Sequence, residues 1–221
     1  GASPARRVRA GRLGAAAAAR RRAGFEPALE RMRWVRGLGN MAEKQQRLAA
    51  LTEGLIAVLG GDRAIAERAA RLCKLDLVSQ MVQEFPKLQG HMGRLYAEKG
   101  GESTSVSVAI EEHYLPDHAG GRLASTPEGR TVALADRLDS LAGCFGTGLV
   151  PKGSADPQGL RRAANGVLAI LLGAVYFFGL DSVALSRINT AGKESRAAYW
   201  SMEDLTLGLF AGSASFSNLL V

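Results

Sequence analysis

Residues 41–61 read MAEKQQRLAALTEGLIAVLGG, and this stretch decides the fold class. Four leucines in it recur at spacings of three and four, which is the period of one face of an α-helix; they are Leu48, Leu51, Leu55 and Leu59. Gly60 and Gly61 follow and favour a helix end, because glycine easily adopts the backbone found there. The stretch therefore predicts a long amphipathic helix over residues 41–59.

Helix signals flank this stretch on both sides. Pro27 can open a short helix before it, because proline suits the first helical position. Asp62 can cap a helix after it, and the apolar spacing predicts that this second helix runs to about Phe85. The residues at 84–86, EFP, are predicted to be the exit of that helix, with Phe85 packed against the core.

Two later stretches combine a capping side chain with a proline. Ser125 or Thr126 precedes Pro127, which predicts a helix from there to about Leu141. The dipeptide at 156–157, Asp-Pro, repeats this device before a last helix. Only 6% of the residues are aromatic, and 47% are hydrophobic with much Ala, Leu and Gly. This composition favours helices packed through small residues, so the predicted fold is all-α.

The net charge of +7 belongs to one end of the chain. Residues 1–36 contain ten Arg and two Glu, whereas the remainder is close to neutral. Residues 1–24 contain seven Arg and no acidic residue, which is typical of mitochondrial and chloroplast transit peptides. This pattern predicts an organellar protein, with a bacterial-type cytoplasm as the alternative. A basic tail that binds RNA phosphates is a second interpretation of the same segment.

The segment 163–180 carries no charged residue for 18 positions, which is the lower limit for a membrane span. Asn165 and three glycines within it favour a buried helix, and a membrane contact through this segment is the alternative interpretation. The two cysteines, Cys73 and Cys144, lie 71 residues apart outside any zinc-binding pattern. They are predicted to be buried, reduced thiols.

Three runs of sequence carry a resemblance to a known family. The first is LCKLDLV at 72–78 followed by MVQEFPKLQGHMG at 81–93, and the second is EHYLP at 112–116. The third, ALADRLDSL at 133–141, continues to LRRAA at 160–164. In order and spacing they resemble the glycyl-tRNA synthetase β-subunit family over about residues 29–172. The chain departs from the family pattern at 158–159, where Gln-Gly stands in place of Phe-Ala.

The resemblance implies a division of the chain into three parts. Residues 27–172 would form an HD-like helical domain, preceded by a basic extension at 1–26 and followed by a divergent helical tail at 173–221. In this family the β subunit pairs with a separate α subunit that charges the tRNA. The chain alone is therefore expected to be non-catalytic, and ATP and Mg²⁺ would belong to an α-type partner rather than to this chain.

HD-type hydrolases hold a metal through a His-Asp pair and a later Asp. By the resemblance, Cys73 and Lys74 stand at the place of the pair and Asp136 at the place of the later Asp. An ammonium group there would repel a metal ion, so neither a metal nor a catalytic residue is expected. Asp76 and Asp136 are predicted to pair structurally with Lys74, Arg137 or a helix amide, the alternative being an acid pair retained from a metal site.

His113 and Tyr114 are expected to complete an edge of the core rather than to bind a ligand. The expected function is a tRNA-binding accessory domain that supports glycine tRNA aminoacylation. Phosphate contacts are predicted at six cations: Arg161, Arg162, Lys152, Arg20, Arg21 and Arg22. The alternative is a domain recruited as a structural subunit of an organellar ribosome, in contact with rRNA, or of another large organellar complex.

Overall fold

In the computed structural model, the residues described are 27–152 and 155–178. Within these residues, seven α-helices follow a short helical segment at 27–31. They are α1 (Met41–Leu59), α2 (Arg63–Ala70), α3 (Gln80–Glu84), α4 (His91–Lys99), α5 (Thr104–Glu112), α6 (Pro127–Gly146) and α7 (Leu160–Phe178). In the described residues, β-structure is limited to two isolated bridges, so the predicted all-α class is confirmed.

The helix α1 has the predicted bounds, and its two ends show why. Asn40 accepts a hydrogen bond from the backbone N–H of Glu43 at 2.9 Å, and the Glu43 carboxylate accepts one from the Asn40 N–H at 2.8 Å. This reciprocal pair satisfies two N–H groups that the first turn leaves free. At the other end Gly60 has a φ of 77°, which only glycine adopts without strain.

The single helix predicted from Asp62 to Phe85 is wrong. The chain leaves α2 at Ala70, makes a 3-10 turn at Leu75–Val78 and starts α3 at Gln80. The Ser79 hydroxyl donates to the Asp76 carbonyl at 2.7 Å and accepts from the Val82 N–H at 3.3 Å. Side chain to backbone hydrogen bonds of this kind compete with a continuous helix. Because the helix is broken here, the side chains of Lys74 and Asp76 both lie in the interior.

Phe85 does not pack against the core as predicted, because 56% of it is exposed. It follows the last residue of α3, and Pro86–Leu88 forms a second short 3-10 turn before α4. The helix end predicted at residues 84–86 is therefore confirmed as the end of α3. The aromatic side chain, however, lies on the surface.

Helix α6 is the centre of the fold and contacts α1, α2, α5 and α7. Residues 132–135 in its middle are fully buried. Thr126 caps it by accepting from the Gly129 N–H at 3.0 Å, as predicted, but the helix continues to Gly146 rather than ending near Leu141. A smaller apolar cluster, which includes Val35, Leu141 and Leu160, joins its end to the start of α7.

The connection from α5 to α6 is fixed at both of its ends. At the α6 end, the buried Glu112 carboxylate accepts hydrogen bonds from the backbone N–H and hydroxyl groups of Ser125 and Thr126 at 2.5–3.0 Å. Burial would raise the pKa of Glu112, but these four hydrogen bonds hold it below its usual value. At the other end, Arg137 binds the backbone that follows α5.

Helix α7 begins where the Asp156 carboxylate accepts from the Leu160 and Arg161 N–H groups, at 2.8 and 2.9 Å. This agrees with the capping role predicted for the Asp-Pro pair. Among residues 27–152 and 155–178, no helix is both long and apolar enough to cross a membrane. Gly179 and Leu180, the end of the uncharged segment, lie outside the described residues.

Candidate functional site

A buried lysine lies at the centre of the candidate site. Lys74 is 3% exposed, and its Nζ lies 2.6 Å from Oδ2 of Asp136 and 3.0 Å from Nε2 of His113. Burial alone would lower the pKa of Lys74, but the attraction of the Asp136 carboxylate raises it above its usual value. Lys74 therefore stays charged, and Asp136 forms the structural pairing that the sequence offered as one of two possibilities.

His113 accepts a hydrogen bond from the Lys74 ammonium, and its tautomer is fixed. Its Nδ1 lies 2.5 Å from the Ile110 carbonyl oxygen, which can only accept, so Nδ1 carries the hydrogen. Nε2 then has a free lone pair that faces Lys74. Burial, followed by the charge of Lys74, lowers the pKa of His113 to about 3. The imidazole is therefore neutral and completes the core, as the sequence predicted.

The second oxygen of Asp136 meets a second lysine. Lys44 Nζ lies 2.9 Å from Asp136 Oδ1, 2.9 Å from Asp139 Oδ2 and 3.9 Å from the centre of the Trp34 ring. Burial would raise the pKa of Asp136, but Lys44 and Lys74 hold it well below its usual range. Arg47 Nε lies 2.5 Å from Asp139 Oδ1 and extends the network. Asp136 is thus ionised and lies between two ammonium groups.

Asp76 accepts a hydrogen bond from the backbone. It is 1% exposed, and its Oδ2 accepts the Gly90 N–H at 2.6 Å. Burial raises its pKa, although the Gly90 hydrogen bond and Lys74 oppose that rise. A Cβ added at Gly93 would lie 2.9 Å from Ile110 Cγ2 and 3.2 Å from Asp76 Oδ2. The run at 84–93 therefore supplies an amide for Asp76 and a glycine that lets α4 approach it.

Cys73 is fully buried, and its Sγ lies 3.3 Å from the Ala70 carbonyl oxygen. Burial raises the pKa of the thiol to about 12, so it is protonated and a poor nucleophile at neutral pH. Cys144 is also a buried free thiol. Within the described residues, no group of three or more His, Cys, Asp or Glu side chains could hold a metal ion.

A cleft of about 770 Å³ opens beside this network. His113, Tyr114, Asp136 and Arg137 contribute to its wall. The Arg137 guanidinium donates to the carbonyl oxygens of His113, Tyr114 and Pro116 at 2.9–3.2 Å. It therefore holds the turn at 113–116 in place, and with it one side of the cleft.

The structure brings only one of the predicted RNA contacts to this cleft. Arg162 is exposed and lines it. Lys152 is exposed but is not part of the lining. Arg161 is half-buried, with its backbone N–H bound to Asp156. The other three predicted contacts, Arg20, Arg21 and Arg22, lie outside the described residues.

Sequence reasoning missed Lys44, Lys87 and Arg122. One signal for Lys44 was present, because it lies four residues before Leu48 and so falls on the apolar stripe of α1. A cation in line with such a stripe indicates a buried ion pair. Lys87 and Arg122 reach the cleft from loops, and no periodicity could place them there.

Comparisons of the sequence with known proteins identify a family and several relatives. The family profile described as glycyl-tRNA synthetase beta subunit matches residues 19–206. The glycine–tRNA ligase beta subunit of Desulforapulum autotrophicum is 48% identical over 162 residues, which are 72% of this chain and 24% of that protein. The same-named subunit of Geobacter sulfurreducens is 54% identical over 136 residues, or 61% of this chain and 20% of the relative. The chain thus spans about a quarter or less of these relatives.

Proposed function

We propose a function for this chain from the premise that it belongs to the glycyl-tRNA synthetase beta-subunit family. The chain is a tRNA-binding, non-catalytic domain of such a subunit. Its role would be to hold glycine tRNA while a separate α-type subunit performs the aminoacylation. The family match over residues 19–206 is the observation that carries this proposal. The HD-like architecture and the boundaries near residues 27 and 172 stay predictions.

The buried network supports a non-catalytic role. The ammonium of Lys74 lies between the Asp136 carboxylate and the His113 imidazole. In this network, the carboxylate and the imidazole are the two groups that a hydrolytic metal ion would require as ligands. A positive charge held at 2.6 Å from the carboxylate competes with any divalent cation for it. ATP and Mg²⁺ would then be needed only by the α-type partner.

The exposed cations support contact with RNA. Arg162 and Lys152 are both exposed, and the segment before residue 37 is strongly basic. Arginine and lysine on a protein surface bind RNA phosphates with an affinity that falls as salt rises. Binding through these residues would therefore depend on charge rather than on base sequence.

The test is a binding and charging assay with the two partners separated. The 221-residue chain is titrated into labelled glycine tRNA at several salt concentrations, alone and with a bacterial α subunit. We expect tRNA binding that weakens with salt, and stimulation of glycine charging only when the α subunit is present. Charging by the chain alone, or tRNA binding without salt dependence, would contradict the proposal.

The relatives named above are bacterial proteins, which agrees with a bacterial-type cytoplasm. The organellar location predicted from residues 1–24 stays a prediction. A structural role in an organellar assembly rests on that same segment, and no contact among the described residues favours it. Co-purification with ribosomal proteins instead of an α-type subunit would revive that alternative.

A further inference from the structure

Three exposed cations on the rim of the cleft are not neutralised. Lys87 precedes α4, Arg122 lies in the connection from α5 to α6, and Arg162 lies in the first turn of α7. All three line the same cleft of about 770 Å³. In the described part of the chain, none of them forms an ion pair with a carboxylate. Three separate elements thus direct positive charge to one place.

The carboxylates of the same cleft already have cationic or imidazole partners. Glu111 lies 2.9 Å from Arg94 and 3.1 Å from His91. Asp117 lies 2.7 Å from the ring of His118. Asp136 is held between two lysines, as described above. Glu111 and Asp136 are therefore not available to balance the three rim cations, and Asp117 alone leaves an excess of positive charge at the rim.

A fourth cation adds to the excess. Arg137 is buried and uses its guanidinium on backbone carbonyl oxygens, and among the described residues it forms no ion pair. Burial lowers the pKa of Arg137; the charge of Asp136 opposes this, and the neighbouring charge of Arg162 adds to it. Two guanidinium groups that repel each other across a cleft favour an anion between them, because it would relieve the repulsion.

The local backbone favours this placement of Arg162. Gly159 has a φ of 67°, and a Cβ there would lie 2.9 Å from Nη2 of Arg162. The guanidinium is thus folded back over the residue that precedes α7.

We propose that this cleft binds the phosphate group of a nucleotide, carried either by an RNA strand or by a free nucleotide. Guanidinium forks match phosphate oxygens in geometry as well as in charge. The volume falls in the range of about 300–1,000 Å³ that is usual for small-molecule sites. The RNA source rests on the proposed function, whereas the free-nucleotide source is independent of it.

The experiment measures binding of four probes to the 221-residue chain by calorimetry at low salt. The probes are inorganic phosphate, adenosine 5′-monophosphate, adenosine without phosphate, and a single-stranded RNA of twelve nucleotides. The cleft variant combines Lys87→Gln, Arg122→Gln and Arg162→Gln. A matched control combines Arg63→Gln, Arg71→Gln and Lys99→Gln, three exposed cations outside the cleft and outside the basic N-terminal segment. Circular dichroism and melting temperature check that each variant is folded, and the three single cleft variants provide a second series.

We expect the phosphate-bearing probes to bind and adenosine not to bind. The cleft variant should weaken binding at least about tenfold and lower the salt slope of RNA binding by about one per lost phosphate contact, while the control stays within about twofold. Loss of the adenosine monophosphate affinity identifies a free nucleotide as a sufficient ligand. A loss confined to the RNA probe identifies the strand as the source.

Equal effects of the cleft and control variants would overturn the proposal, as would equal binding of adenosine and its monophosphate. These outcomes are distinct from failure of the proposed function. If glycine tRNA binds equally well to the cleft variant and to the unchanged chain, the proposed function stands and the cleft proposal fails. If glycine tRNA does not bind while adenosine monophosphate does, the reverse holds.

Discussion

The ammonium nitrogen of Lys74 and the Nε2 of His113 lie 3.0 Å apart, with the lone pair of a neutral imidazole facing the charge. One residue comes from the break after α2 and the other from the end of α5. Their contact joins two segments that are 39 residues apart in the chain. It also determines how this part of the core responds to mutation and to pH.

Replacing Lys74 with methionine should strongly destabilise the protein. Methionine keeps most of the side-chain length but leaves Asp136 with one ammonium partner, Lys44, and His113 without a donor. Loss of one partner of a buried ion pair typically costs about 3–5 kcal/mol of unfolding free energy. Urea unfolding measures the change, with Lys99→Met as an exposed control. A loss below about 1 kcal/mol would show that Lys44 alone suffices for Asp136.

Stability should fall as the pH drops from 7 to 5, and His113 should account for a large part of that fall. Its pKa in the folded protein is about 3, against an ordinary value of 6.5. The unfolded chain therefore binds a proton in this range that the folded protein excludes, so acid favours unfolding. This one group predicts a loss of about 2 kcal/mol between pH 7 and pH 5.

The measurement is urea unfolding at several pH values, compared with His113→Gln. Glutamine does not titrate, so the variant should lack about 2 kcal/mol of the loss seen between pH 7 and pH 5. The carboxylate of Asp136 does not interfere, because its depressed pKa places its effect at lower pH. An identical pH dependence in the variant would mean that His113 is charged in the fold.

Gly166→Ala should destabilise the packing of α7 on α6. A methyl group at this position would collide with the guanidinium of Arg137. Overpacking of this kind costs about 1–3 kcal/mol. If the collision is the cause, the cost of Gly166→Ala should shrink to below about 0.5 kcal/mol in an Arg137→Ala background. A double-mutant cycle by urea unfolding gives the coupling, and strict additivity would refute the explanation.

Both cysteines should resist alkylation in the native protein. Cys73 is fully buried, with its thiol pKa raised to about 12, and burial also raises the pKa of Cys144. Iodoacetamide at pH 8 followed by mass spectrometry should find neither modified until urea unfolds the chain. Rapid labelling of Cys73 without denaturant would indicate that the break after α2 opens readily.

Phe85→Ser should change stability by less than about 0.5 kcal/mol, because the aromatic side chain is 56% exposed. Val82→Ser, three residues earlier and 4% exposed, provides the contrast and should cost several times more. Urea unfolding of both variants decides the matter. A large loss from the Phe85 variant would favour the packed position predicted from the sequence.

What the sequence could predict depended on local signals. The helix α1 was predictable because its apolar period and its terminal glycine agree. The break after Ala70 was not, because it is stabilised by contacts such as Asp76 to Gly90, fourteen residues apart. The apolar period of the sequence continues through the break and so predicts one unbroken helix. In the structure, tertiary hydrogen bonds interrupt that helix.

The site divides in the same way. The partner of Asp136 could be predicted, because Lys74 stood at a motif position that the family resemblance had already marked. The cleft could not be predicted, since Lys87, Arg122 and Arg162 are brought together from segments far apart in the chain. Their common position at the cleft depends on how the turn at 113–116 lies against α6. Arg137 fixes that turn through hydrogen bonds to its backbone. The sequence motif around Arg137 gave no indication of this role.

The connection from α5 to α6 has a further consequence for how this protein can vary. Arg137 secures it at 113–116 and Glu112 secures it at 125–126, so the exposed tip at 118–120 lies between two fixed ends. Extra residues inserted at this tip would extend outward without shifting the register of the two helices. It is therefore the natural place to attach a fluorescent label or an epitope tag, and the point at which related chains should differ most in length.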